Sequence, residues 1–334
     1  MIKLSGKRVL LKDIAEKAGL TINTVSRALK DKDDISVHTR QHVQSLALEM
    51  GYIKDFVASS LRSGKTSTIG VMFDNIANPY YMIMTDLIHQ KLQVLGYDMM
   101  IFTSSGDKAQ FDVESLNKMI ARRIDGIITF LKPTPDVAKL IKINRLPLVI
   151  LGREGDDIGI DSVYTNDLLG GYKVGKYLTE KGHTKIGYIG APRDIICSRK
   201  RAEGLNKYLK ETNRELNDNN IVFLDHGDMN LTKPLGKLVN QGVTAIFCFN
   251  DTMAYEILSI LKRKVINSNT RIAIVGYDNT EDFLRVPVGL TSVDCSKDEL
   301  AEKAIKSLFS RIENPDLPLI VVVEETNIIE RTTA

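Results

Sequence analysis

The 334-residue sequence predicts an N-terminal all-α helix-turn-helix head followed by an α/β two-lobed core built from parallel, doubly wound sheets. Three observations predict it. Two short amphipathic helices joined through a glycine occupy Leu11 to Leu29. From Thr68 onward, short apolar strands alternate with helical stretches. The charge also divides: residues 1–65 hold 12 Lys/Arg against 7 Asp/Glu, a net of +5, and the remainder hold 33 against 35, a net of −2.

In the head, Leu11, Ile14, Ala15 and Ala18 share one face of a first helix. Gly19 frees the backbone to leave it, and Thr21 is placed to cap the second helix. There Val25, Ala28 and Leu29 turn inward, leaving Ile22, Asn23, Ser26 and Arg27 outside. A third helix is expected over Val37–Met50, capped by Ser36, with Val43, Leu46, Ala47 and Met50 at core spacing. A plain helical hairpin would share this pattern. The third helix and the basic charge favour a head that enters a DNA major groove. Ile22 then meets a thymine methyl, Asn23 an adenine and Arg27 a guanine, while Thr21, Ser36 and Tyr52 hold phosphates.

Expected strands in the core are Ile69–Phe73, Met99–Thr103, Gly126–Phe130, Leu148–Leu151, Lys185–Ile189, Ile221–Leu224, Ala245–Phe249 and Ile272–Gly276. Helical periodicity covers Tyr81–Leu95, Leu168–Lys181 and Ser198–Lys210. The run is too long for one sheet and divides into two similar halves. A hydrophobic content of 43% and a mean hydropathy of −0.10 suit a soluble chain with a sizeable core. No apolar stretch reaches transmembrane length and no leader-like core is present, so a cytoplasmic location is expected. Cys197, Cys248 and Cys295 are widely spaced, which argues against disulfides and a zinc site.

Several residues beyond the strand ends carry ligand-like chemistry. Asn250 and Asp278 can accept from and donate to polyol hydroxyls. Arg199 and Arg201 offer forked donors, and Tyr80 or Tyr81 offers a ring for a sugar face or a base. Some alternatives stay open: Asp251 and Asn279 equally fit helix caps, Arg199 an ion pair, and one tyrosine the core. Gly64-Lys65-Thr66 lacks the earlier glycine of a phosphate loop, Gly170-Gly171 lacks dinucleotide spacing, and the five histidines are scattered. No catalytic constellation, metal site or cofactor motif is found, and an enzyme is not expected.

The segments Lys12-Asp13-Ile14-Ala15, Thr24-Val25-Ser26-Arg27, Thr39-Arg40, Gly51-Tyr52 and Ile328-Ile329-Glu330-Arg331 resemble the lactose-repressor/galactose-repressor family of bacterial regulators over nearly the whole chain. The resemblance implies a periplasmic-binding-protein-like core with three crossovers, placed near Tyr164–Asn166, Val293–Asp294 and Val323–Glu325, and a ligand between the lobes. It assigns effector roles to Tyr80, Tyr81, Arg201, Asn250 and Asp278. It also makes 55–62 a minor-groove hinge helix, with Leu61 as a wedge and Ala58 facing the same groove. The expected divisions are a head at 1–54, a hinge and linker at 55–67, and a core at 68–334. Within the core, 68–164 with 294–323 form one lobe and 165–293 with 324–334 the other.

This chain departs from the family pattern at four positions: Lys54 and Asp74 replace prolines, Leu10 a capping threonine, and Gly152 a ligand carboxylate of some members. The expected function is a homodimeric repressor on a near-palindromic double-stranded operator, controlled by a sugar or sugar derivative. The alternatives are control by a phosphorylated carrier protein and a purine co-repressor.

Overall fold

The computed structural model describes residues 9–53, 65–104, 110–214, 216–227, 230–266, 271–285 and 287–334. The chain divides into two compact units that meet between Thr66 and Ser67. Residues 55–62, with the expected minor-groove contacts Ala58 and Leu61, and Lys54 lie outside the described residues.

Among the described residues the first unit holds three helices, α1 (Leu11–Ala18), α2 (Ile22–Ala28) and α3 (Val37–Glu49). Leu10 has no side-chain acceptor, and the Asp13 carboxylate takes over the capping position by accepting from the Leu10 N–H at 2.8 Å. Gly19 leaves α1 at φ +64°, a conformation open to glycine without penalty. Thr21 and Ser36 each accept a backbone N–H at 3.1 Å, from Thr24 and Thr39, and so start α2 and α3. Ile14, Ala15, Val25, Ala28, Val43, Leu46 and Ala47 close the core.

Among the described residues the second unit contains two sheets of six strands. In chain order its elements are β1 (Thr68–Phe73), α4 (Pro79–Val94), β2 (Asp98–Thr103), α5 (Val113–Ala121), β3 (Gly126–Thr129), α6 (Pro135–Asn144), β4 (Leu148–Leu151) and β5 (Asp161–Thr165). The chain then runs through α7 (Asp167–Glu180), β6 (Ile186–Gly190), α8 (Ile196–Glu211), β7 (Ile221–Phe223), α9 (Thr232–Asn240), β8 (Ala245–Cys248), α10 (Asp251–Lys262), β9 (Ala273–Tyr277), α11 (Glu281–Leu284) and β10 (Thr291–Asp294). The last elements are α12 (Lys297–Glu313), β11 (Val321–Glu324) and β12 (Asn327–Ile329).

Strand order is β11-β5-β4-β3-β1-β2 in one sheet and β12-β10-β9-β8-β6-β7 in the other. Pairing is parallel throughout, except that the edge strand β12 runs antiparallel to β10, with Val293 opposite Ile328. This edge modifies the wholly parallel expectation. The chain enters β12 directly from β11 of the other sheet, with no helix to turn it round.

Period-two alternation sorts the strand side chains to the two faces of each sheet. Val71, Ile128 and Val149 join α4 and α12 on one face of the first sheet, whereas Met72, Ile127 and Ile150 join α5 and α6 on the other. In the second sheet, Tyr188, Phe247 and Val275 face α7 and α8, and Ile189, Ile246 and Ile274 face α9 and α10. The chain changes sheets between β5 and α7, between β10 and α12, and between β11 and β12. The carboxyl ends of both parallel sheets therefore open on one cleft.

β5 and β10 escape an apolar-run search, because Ser162, Thr291 and Ser292 are buried polar residues within them, and β11 and β12 are short edge strands that stay partly exposed. No helix of the described residues is long and apolar enough to cross a membrane.

Glycines set the contact between α7 and α8. A Cβ at Gly171 would stand 2.0 Å from the Arg201 carbonyl oxygen, and one at Gly204 would stand 1.9 Å from that of Leu168. Backbone cannot yield as a flexible side chain would. Gly171→Ala is expected to destabilise the second unit by about 1–3 kcal/mol through overpacking, read as a lower urea midpoint of the full chain. An unchanged midpoint would show that the helices separate freely.

Candidate DNA-reading face and inter-lobe cavity

The outer face of α2 carries Ile22, Asn23 and Arg27, all exposed, with Ser26 half-buried. Ile22 keeps 52% of its surface in solvent, although Val25 and Ala28 on the opposite side are fully buried. An exposed isoleucine between polar neighbours costs solubility and suits an apolar contact such as a thymine methyl. The Arg27 guanidinium meets the Asp34 carboxylate at 2.5 Å, with both side chains about half exposed. That hydrogen bond holds the Asp34 carboxyl below the usual carboxylate range. The pair is open to solvent, so exchanging Asp34 for a base edge costs little.

The Thr21 and Ser36 hydroxyls are engaged as caps and lie at helix N-termini, where backbone N–H groups also point outward. Tyr52 packs partly against the small core.

Between the two sheets lies a cavity of ≈ 80 Å³. Tyr80, Tyr81, Arg201, Asn250 and Asp278 all line it. Arg199 does not: it is exposed on the outer side of α8, paired with Glu203 at 3.4 Å across one helical turn. The assignment of Arg199 to the cavity is thereby corrected to the ion pair, since a two-residue step on a helix turns a side chain well away from Arg201.

Each lining group is held by its element. Asn78 accepts from the Tyr80 N–H at 3.0 Å, Pro79 opens α4, and the first turn therefore carries both tyrosines. Tyr81 stacks on Phe73 with centroids 5.4 Å apart and meets Phe130 at 5.1 Å, while Tyr80 crosses Phe130 at 6.2 Å. Both tyrosines thus serve core and cavity together. Asn250 caps α10 by accepting from Met253 N–H at 3.0 Å, which leaves its amide nitrogen for the cavity.

Arg201 is buried, donates Nε to Asp167 at 2.8 Å and Nη1 to the Phe249 carbonyl at 2.5 Å, and lies 3.4 Å above the Tyr277 ring. Burial pushes the Asp167 carboxyl up against the pull of Arg201.

Asp278 follows β9 at φ +101°, and Asn279 follows at +43°. Two consecutive non-glycine residues in this region are strained and persist only where their surroundings over-determine them. The surroundings do so here. Asp251 accepts from Thr280 N–H at 2.6 Å and from Ser292 Oγ at 2.6 Å, and Ser292 Oγ in turn accepts from Asn279 N–H at 3.0 Å. Arg331 donates to Asn279 and Asp282 at 2.8 and 2.7 Å. Asp251 is thus the buried anchor of this loop, and Asn250 is the cap.

The loop presents the Asp278 carboxylate to the cavity, where it accepts no hydrogen bond from a described residue. Burial, reinforced by Asp251 and Asp167 against Arg201, pushes its pKa up to about 7.

Sequence reasoning missed Phe130, Arg153, Thr165, Cys197, Phe249, Tyr277 and Cys295 in the lining. Arg153 lay within its reach: it stands two residues beyond β4, by the same strand-end rule that selected Asp278. Tyr277 lies just past the expected end of its strand and is 1% exposed. Only the tertiary structure turns its ring face toward Arg201.

A family model for the periplasmic binding proteins and sugar binding domain of the LacI family matches residues 66–314, and one for bacterial regulatory proteins of the lacI family matches residues 10–55. This chain belongs to the LacI family. It is a DNA-binding transcription regulator with an effector-binding core, and not an enzyme.

Among relatives, the HTH-type transcriptional repressor PurR of Mannheimia succiniciproducens is 27% identical over 92% of each chain. The ribose operon repressor of Escherichia coli K12 is 28% identical over 92% of this chain and 94% of its own. The fold also matches that of the lac repressor dimer solved with operator and the anti-inducer ONPF, at a TM-score of 0.81, 23% identity and coverage of 98% and 99%.

A raised carboxylate pKa has a definite sign in stability. Folded Asp278 holds its proton up to about pH 7, whereas the unfolded chain releases it near 4, so the group lowers the stability of the core as pH rises through that window. Asp278→Asn removes the buried charge. It is expected to raise stability on the order of 2–4 kcal/mol at pH 8 and by less than half as much at pH 5. Urea unfolding at the two pH values checks this, and equal effects at both would contradict it.

Proposed function

We propose that this regulator is a repressor that binds a near-palindromic operator as a homodimer, with its grip set by a small molecule held between the lobes. The observation that carries the effector half is Asp278. An unpartnered carboxylate on a strained, clamped loop, beside the Arg201 guanidinium and between aromatic walls, suits a ring bearing hydroxyl or N–H donors. A polyol is the leading occupant, supported by Asn250 and Arg201 as neighbouring donors. The likeness to PurR keeps a purine as the second reading.

Control through a phosphorylated carrier protein would use the same DNA face and is told apart by direct binding of such a carrier. The working divisions are a head at 1–54, a linker at 55–67, one lobe of 68–164 with 294–323, and another of 165–293 with 324–334. Operator DNA places the protein's work in the cytoplasm.

Thermal-shift screening with D-ribose, D-xylose, hypoxanthine and guanine tests the effector. A true ligand at ~100 times its dissociation constant stabilises the fold by about 2.7 kcal/mol. Arg201→Ala is expected to abolish that shift, and a retained shift would place the site elsewhere.

For the DNA half, Arg27→Ala is expected to relax preference at one operator base pair per half-site, costing about 1–3 kcal/mol each. Fluorescence anisotropy with operator and random duplexes separates the cases. Equal loss on both would make Arg27 a phosphate contact.

A further inference from the structure

The inter-lobe cavity does not end at its aromatic walls. A second compartment of ≈ 370 Å³ adjoins it, and Gly152, Arg153 and Cys197 line both. The inner compartment, at ≈ 80 Å³, falls well below the few hundred Å³ usual for a ligand pocket. Gly152 keeps the passage open: it has no side chain, and a Cβ there would meet only the Tyr80 hydroxyl at 3.7 Å. A molecule seated at Asp278 can therefore extend past Gly152 into the outer compartment.

The chemistry of the outer compartment selects what that extension carries. Lys132 is matched by Asp157 at 2.6 Å, Lys200 by Glu154 across the cleft, and Asp167 by Arg201. Asp194 is solvent-exposed and faces the His226 ring. Arg153 has no carboxylate within salt-bridge distance among the described residues. It is a partly buried cation whose near neighbours are the Tyr81 hydroxyl and, at longer range, Asp74. A guanidinium without its counter-charge at the neck of a cavity is suited to a forked oxyanion. From the opposite lobe, the first turn of α8 also lines the compartment, and no side chain caps it.

We propose that the effector is a polyol bearing an oxyanion, a phosphate ester or a carboxylate. Its ring occupies the inner compartment and its anionic group the outer one, against Arg153. This rests on the inter-lobe effector reading and narrows it to a charged ligand class.

Calorimetric titration of the full chain at constant ionic strength tests it, using D-ribose against D-ribose 5-phosphate, D-glucose against D-glucose 6-phosphate and D-gluconate, and inorganic phosphate as the minimal probe. At least one anionic sugar is expected to bind about tenfold or more tightly than its neutral parent. A preference for D-gluconate over the esters would identify the carboxylate as the source. Arg153→Gln is expected to remove the advantage, and Arg153→Lys to restore part of it. Arg145→Gln, in a separate basic hollow of the first lobe lined by Lys142 and Arg311, is expected to leave it intact.

Neutral sugars binding as tightly as their anionic forms would overturn the proposal while leaving the inter-lobe reading in place. So would an advantage that survives Arg153→Gln, or the absence of binding by every anion tested. A bound ligand unaffected by Arg201→Ala would instead overturn the inter-lobe reading itself.

Discussion

The buried ion pair between Arg201 and Asp167 is the constraint on which the cavity depends. Asp167 is the first residue of α7, directly after the chain crosses from β5, and Arg201 rises from α8. Through its second nitrogen Arg201 also holds the Phe249 carbonyl ahead of α10, and its plane covers Tyr277 at the end of β9. One side chain thus ties a crossover, a helix and the ends of two strands. Such a pair adds little net stability, because desolvating both charges offsets their attraction. Removing one partner leaves the other buried alone, at roughly 3–5 kcal/mol. Its value is specification: only one arrangement of these elements satisfies both charges.

The tight seat of α8 on α7 makes that pair possible. With Gly171 and Gly204 at the contact, backbone meets backbone, and Arg201 enters at the depth of Asp167 instead of a side chain's thickness further out. A second clamp of the same kind governs the neighbouring loop. Asp251, Ser292 and Arg331 hold the strained turn that aims Asp278. Ser292 lies on β10, just before the second crossover, and Arg331 lies shortly after the third. The clamp that aims the ligand carboxylate is therefore built within one lobe, from residues next to two of its crossovers.

The DNA-reading unit follows a different logic. α2 has 7 residues, far too few for a stable helix in water, so its form comes from Val25 and Ala28 seated on α1 and α3. The side chains left outside owe nothing to folding. Exposed Ile22 and Asn23 have no structural duty, and Arg27 has only a solvent-exposed partner. Residues released in this way from the core are free to be chosen by what they touch.

Periodicity and turn chemistry determined much by themselves. The three helices of the head, with Gly19, Thr21 and Ser36 at their ends, are local features, because caps and i, i+3, i+4 spacing act within a few residues. The eight strands read as apolar runs are likewise local, and so is the strand-end rule that selected Arg201, Asn250 and Asp278. What sequence could not supply depends on distant partners. Thr291 and Ser292 look like loop residues until the sheet beside them and Asp251 satisfy their polar groups. β12 runs antiparallel because of the path from the other lobe, which no local pattern encodes. Arg199 and Arg201 are equal as residue types, and only the docking of α8 on α7 decides which one is buried. The tertiary structure made the cavity from side chains more than a hundred residues apart, since burial and unmatched charge belong to a packed interior and not to a stretch of chain.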